Sequence, residues 1–194
     1  MAISLSKGQK ISLDKGVRLA LVGLGWDTNR YDGRADFDLD ASAFMLGANG
    51  KVRNDSDFIF YGQLQDPSGA VTHTGDSLQG GSGGDDETLF IDFSKVPADV
   101  EKIAITVTIY EAQERRQNFG QVSNAYVRVC RRSSEDDTVG TEELRYDLGE
   151  DFSIETALVV CEIYRSGNTW KFNAVGAGYQ GGLYALCKAY GVNV

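Results

Sequence analysis

At 194 residues, 42% of them hydrophobic, the chain suits one domain with a full core. Its formal charge of −9 argues against a sequence-independent grip on nucleic acid, which needs a basic surface. No apolar run approaches membrane-spanning length, and the N-terminus lacks the basic-then-apolar order of a secretion signal, so the expectation is a cytoplasmic protein.

Two prolines stand against 23 glycines, which leaves the turns to Gly, Asn and Asp. Ile3–Leu5 and Lys10–Leu13 are two short strand-like segments, followed by turns at Lys7-Gly8 and Asp14-Lys15-Gly16. Val17–Trp26 is apolar enough for a central strand. Ala41–Leu46 reads as a strand that ends at the hairpin signal Asn49-Gly50. Asp57–Tyr61, Val71–Thr74 and Thr88–Phe93 are short strands, with a turn at Asp66–Gly69. Ser94 is expected to cap a one-turn helix through Pro97 and Ala98. Lys102–Tyr110 alternates cleanly, with Ile103, Ile105, Val107 and Ile109 on one face. Residues 111–120 form a polar loop. Strands follow at Ala125–Cys130, Leu144–Leu148, Ala157–Tyr164 and Thr169–Val175, with a charged hairpin tip at Glu135–Asp137 and another hairpin at Ser166-Gly167-Asn168. Leu183, Leu186, Cys187 and Tyr190 repeat at helical spacing, which predicts an amphipathic helix over 182–190 packed on the end of the sheet. About ten short strands with no helices between them predict an all-β sandwich.

Two loops carry the acids. Thr74–Glu87 holds five glycines among Asp76, Asp85, Asp86 and Glu87, and has no apolar period. In the other loop, Asp27, Asp32, Asp36, Asp38 and Asp40 lie within fourteen residues. Its end, Asp36-Phe-Asp-Leu-Asp40, alternates, so the three aspartates share one face of an extended chain and Phe37 and Leu39 the other. Dense carboxylates with glycine to bend around them suit a hard cation, Ca²⁺ or Mg²⁺, and an all-protein cage favours calcium. The plain alternative is a solvated acidic loop. An EF-hand fails, because Ala41 and Gly47 stand where Gly and Glu are required. One histidine, His73, and three scattered cysteines argue against zinc and fit buried, reduced thiols. Gly176-Ala-Gly178-Tyr-Gln-Gly181 matches a dinucleotide fingerprint but lacks the following strand and acid. Close packing of the last helix on its strand explains it better.

A shift of 84 residues aligns Leu19–Leu21 with Ile103–Ile105, Asp27 with Glu111, and Asp40 with Asn124. A pseudo-repeat of 17–46 and 101–130 within a single domain spanning 1–194 is one reading, and chance matching of alternating strands is the other. On the first reading, Glu111 and Asn124 have a lesser role at the acid-lined end.

Gly23-Leu-Gly-Trp-Asp27, Phe37-Asp-Leu-Asp-Ala-Ser42, Gly75-Asp76 to Gly84-Asp-Asp-Glu87, Asn124-Ala-Tyr-Val-Arg-Val129, Tyr146–Leu148 and Trp170-Lys-Phe172 together resemble the TerD family of bacterial tellurium-resistance and stress proteins. The likeness spans nearly the whole chain. It departs in the glycine-rich loop, where Ser77, Gln79 and Ser82 replace the family's usual Asn, Thr and Gly. The resemblance implies a cytoplasmic β-sandwich that binds calcium at acidic loops. It further implies work with other products of a tellurium-resistance operon, some at the membrane surface.

The combined expectation is a non-enzymatic, calcium-ordered scaffold or interaction module. Asp27, Asp36, Asp38, Asp40, Asp76, Asp85, Asp86 and Glu87 are the candidate ligands, and two ions are expected. The rival is a metal-dependent enzyme, or a binder of a small phosphorylated metabolite through the ion, either of which needs a pocket beside the metal.

Overall fold

The computed structural model describes residues 2–13, 16–27, 37–75, 84–148 and 154–194. Within them the chain forms β1 (Ile3–Leu5), β2 (Lys10–Ser12), β3 (Leu19–Gly25), β4 (Leu39–Leu46), β5 (Phe58–Ile59), β6 (Val71–His73), β7 (Glu87–Asp92), β8 (Lys102–Ile109), α1 (Ala112–Arg115), β9 (Tyr126–Arg132), β10 (Thr141–Asp147), β11 (Ala157–Ser166), β12 (Thr169–Tyr179) and α2 (Gly182–Tyr190). The strands make two six-stranded sheets, ordered β1-β10-β9-β3-β7-β6 and β2-β12-β11-β8-β4-β5.

Strand alternation builds the core between them. From the first sheet Ala20, Val22, Leu24, Leu89, Ile91, Val127 and Val129 point inward, and from the second Leu39, Ala41, Met45, Ile103, Ile105, Val107 and Phe172 meet them. Phe37 and Leu39 are both buried in this core, so the aspartates Asp38 and Asp40 face away from it. Asp36 lies outside the described residues.

The outward faces are covered in different ways. On the second sheet Phe44, Leu46, Phe58, Ala104 and Val159 form an apolar bed for Leu186 and Cys187 of α2. The helix spans the expected residues, but it lies on the sheet's outer face rather than at its end, because the bed supplies a second apolar surface to match its stripe. On the first sheet no helix is present among the described residues. Arg132 lies over the Phe90 ring at 3.8 Å, and Arg145 over the Tyr126 ring at 3.8 Å. Gly23 and Gly25 of β3 clear the space beneath: a Cβ on Gly25 would come within 2.5 Å of the Tyr126 ring, and one on Gly23 would strike the Asp85 carboxylate.

Other expectations change as well. Residues 93–99 form turns rather than a helix, because Asp92 takes the Ser94 N–H at 3.0 Å and its hydroxyl at 2.5 Å, so Ser94 turns back to the strand instead of opening a helix. β12 continues four residues past Val175 through the glycines. Those glycines make room for side chains from outside the helix: Tyr146 sits where Gly176 would carry a Cβ, and Glu155 where Gly178 would. The polar loop after β8 also contains a single turn of helix, α1, set between two left-handed residues, Glu111 and Arg116.

Candidate functional site

Strand ends bring the described acids to one end of the sandwich. β3 ends where β7 and β9 begin, with Leu24 opposite Glu87 and Gly25 opposite Tyr126. β8 ends where β4 and β11 begin, with Ile109 opposite Leu39 and Thr108 opposite Ala157. The chain changes sheet at this end from β3 to β4, from β8 to β9 and from β10 to β11.

At the first sheet, Asp86 is fixed by main chain on both sides. Its N–H donates to the Leu24 carbonyl at 2.7 Å, and its Oδ2 accepts the Trp26 N–H at 2.9 Å. The next residue, Asp27, donates its N–H to the Ser123 carbonyl at 3.0 Å, and its Oδ2 accepts from Asn124 Nδ2 at 2.6 Å. The exit of the glycine-rich loop and the entry of the other acidic loop thus share one anchored point. Asn124 holds a left-handed backbone with φ 54, a conformation asparagine tolerates better than most residues.

Asp85 goes elsewhere. Its carboxylate lies over Gly23 on the sheet's outer face, where Arg128 Nε donates to Oδ1 at 2.7 Å and to Oδ2 at 3.0 Å, and the Tyr126 hydroxyl donates at 3.1 Å. Arg128 also reaches Glu142 at 3.3 Å. Burial and the neighbouring Asp85 charge push the Tyr126 phenol up to about 12, and Asp85 holds the Arg128 guanidinium above its ordinary range.

Glu87 faces inward and is fully buried. Its Oε2 accepts the Ala41 N–H of β4 at 3.0 Å and lies 3.0 Å from His73 Nε2, with both side chains 1% exposed. His73 Nδ1 accepts the Gly75 N–H at 3.0 Å, so the ring proton sits on Nε2, directed at Glu87 and the Ala41 carbonyl. One imidazole therefore ties the entry of the glycine-rich loop to its exit. His73 is a strand-end residue, as expected, with a structural task that its position alone did not reveal.

At the second sheet, the Asp38 carbonyl accepts the Tyr110 N–H at 2.9 Å and its carboxylate lies 3.9 Å from Arg115. Asp40 pairs with Thr108 across the ladder and faces outward into a pocket of about 510 Å³. Glu111 and Glu114 line the same pocket, so of the two repeat-derived candidates Glu111 sits here and Asn124 at the first sheet.

Among the described residues no three of His, Cys, Asp and Glu come close enough to hold a metal ion. Asp36 and Asp76, with most of both acidic loops, lie outside the described residues. Arg128 and Tyr126 were missed as site residues because they stand more than forty positions from Asp85, and only strand pairing reveals the contact.

Residues 1–190 match the model of the TerD domain. The chain is 55% identical to tellurium resistance protein TerD of Alcaligenes sp, over 100% of this chain and 99% of that one. It is 52% identical to general stress protein 16U of Bacillus subtilis, over the full length of both. The crystal structure of a homologue of telluride resistance protein from Streptomyces coelicolor A3(2) superposes with a TM-score of 0.69, at 20% identity, over 88% of this chain and 95% of that one. That likeness concerns the fold.

Proposed function

The chain belongs to the TerD domain family of tellurium-resistance and stress proteins, and on that premise we propose that it is a non-enzymatic binding protein whose acidic loops are ordered by calcium. One observation carries the reading: Asp86 holds the main-chain N–H of Trp26, the residue before Asp27, so carboxylates from both acidic loops leave one rigid point.

The donor set is all hard oxygen, as calcium requires with its six to eight ligands. Asp27 and Asp86, with Asp36 and Asp76 from the loops, would hold an ion at the first sheet. Asp38, beside the start of β4, would serve a second. Asp85 and Glu87 act as struts, since Arg128 and His73 engage their carboxylates. When bound, the ion supplies counter-charge to acids that otherwise repel, and so orders the loops into a rigid surface. That surface would be offered to other products of a tellurium-resistance operon, at the membrane or in the cytoplasm.

Binding to the folded state alone raises stability by linkage, roughly 2.7 kcal/mol at a hundredfold excess of calcium over Kd. For a domain of this length that is a rise in Tm of about 5–10 °C. Asp27→Asn with Asp86→Asn should abolish the rise. A Tm indifferent to calcium in the parent protein, with no heat of binding by titration calorimetry, would disprove the reading.

A further inference from the structure

The pocket at the second sheet is separate from the anchored Asp27–Asp86 point and is built differently. Its floor is Asp40, Thr108 and Thr156, and its rim carries Glu111 and Glu114. Tyr61, Tyr110 and Tyr184 stand around it at 42%, 41% and 56% exposure, high for aromatic residues in a chain that buries most of its apolar side chains. Among the described residues no lysine or arginine lines it.

We propose that this pocket takes a small organic cation, a protonated amine carried on an aliphatic stem.

Four observations support this assignment. The volume falls in the range of small-molecule sites. Among the described residues, all the charged lining groups are carboxylates. The walls are rings that the chain's own cations already seek: the Arg115 guanidinium lies 5.8 Å from the Tyr110 ring centroid, and Lys188 Nζ 5.1 Å from that of Tyr184. The α2 N-terminus would favour an anion, but the Gly182 N–H there is already given to Thr156 Oγ1 at 3.0 Å. A phosphorylated metabolite would meet carboxylates here rather than the donors it needs.

The stem would lie against Leu183 and the tyrosine faces, with the ammonium among Asp40, Glu111 and Glu114. The Glu111 carboxylate beside the Tyr110 hydroxyl holds that phenol above its ordinary range.

The test uses the whole chain in chelator-treated buffer, titrated with cadaverine and followed by tyrosine fluorescence and calorimetry, with 1-pentanol as the uncharged control. Saturable one-site binding of cadaverine is expected, and none of the alcohol. Tyr184→Ala should weaken binding about two- to fivefold, and Glu114→Gln should weaken it as well. Both side chains are exposed, and unchanged melting of the variants checks that they fold. The assignment is overturned if cadaverine does not saturate, if the alcohol binds equally, or if both variants bind as the parent does. It is also overturned if inorganic phosphate with calcium, and not the amine, fills the site.

Discussion

The two sheets share one core yet cover their outer faces with opposite chemistry. The second sheet lays Phe44, Leu46 and Phe58 under an amphipathic helix and shuts water out. The first sheet has glycines on β3 and roofs them with the Tyr126 ring, the Asp85 carboxylate and the arginines of β9 and β10. The apolar roof gains mainly from area removed from water, is non-directional and tolerates repacking. The polar roof depends on matched partners, because a charge buried without its partner is costly. Stability on the second sheet should therefore scale with volume lost, and on the first with pairs broken.

The largest expected effect is Phe44→Ala. Phe44 is fully buried, stacked on Phe58 at 4.5 Å and tilted against Tyr190 at 4.7 Å, so the change should cost about 4 kcal/mol in urea unfolding. Phe44→Leu should recover most of it, as volume rather than pairing governs that face.

Next is Arg128→Met, which strands the Asp85 carboxylate, itself 8% exposed, and should cost about 2 kcal/mol, less than a fully buried pair because Arg128 is 23% exposed. Adding Asp85→Asn should restore part of that loss. A double-mutant cycle with no coupling would erase the contrast between the two roofs.

The smallest effect is Tyr126→Phe, read against pH. The Tyr126 phenol is raised in the fold to about 12, so its contribution is fully present below the ordinary phenol pKa and is lost as pH climbs through about 12. The parent should lose stability over that alkaline window more steeply than Tyr126→Phe. Equal slopes in the two proteins would place Tyr126 outside the network.

Legibility follows the same division. Alternation in Ile103–Ile109 and helical spacing from Leu183 to Tyr190 predict β8 and α2, because both elements bury one continuous apolar face that sequence period reports. The short turn α1 was hidden, since Glu111 and Arg116 enter and leave it through left-handed angles that neither residue type advertises. The acids were visible as a group, but their fates were not. Asp85, Asp86 and Glu87 are consecutive, yet they turn to the outer face, the strand end and the core in succession. That sorting depends on partners contributed by β9, β3 and β6, which only the fold brings near.

The first twelve residues close both sheets. β1 adds to β10 in parallel, with Ile3 opposite Leu144, and β2 adds to β12, with Ile11 opposite Phe172. On a ribosome making about 5–20 residues per second, β2 waits roughly ten to thirty seconds for its partner to emerge. β1 waits for β10 over a shorter interval, and until then neither strand has its sheet partner. The first sheet cannot close until β10 has been made, through Asp147, and the second not until β12 has been made, through Tyr179, so β1 and β2 are where a chaperone would be needed.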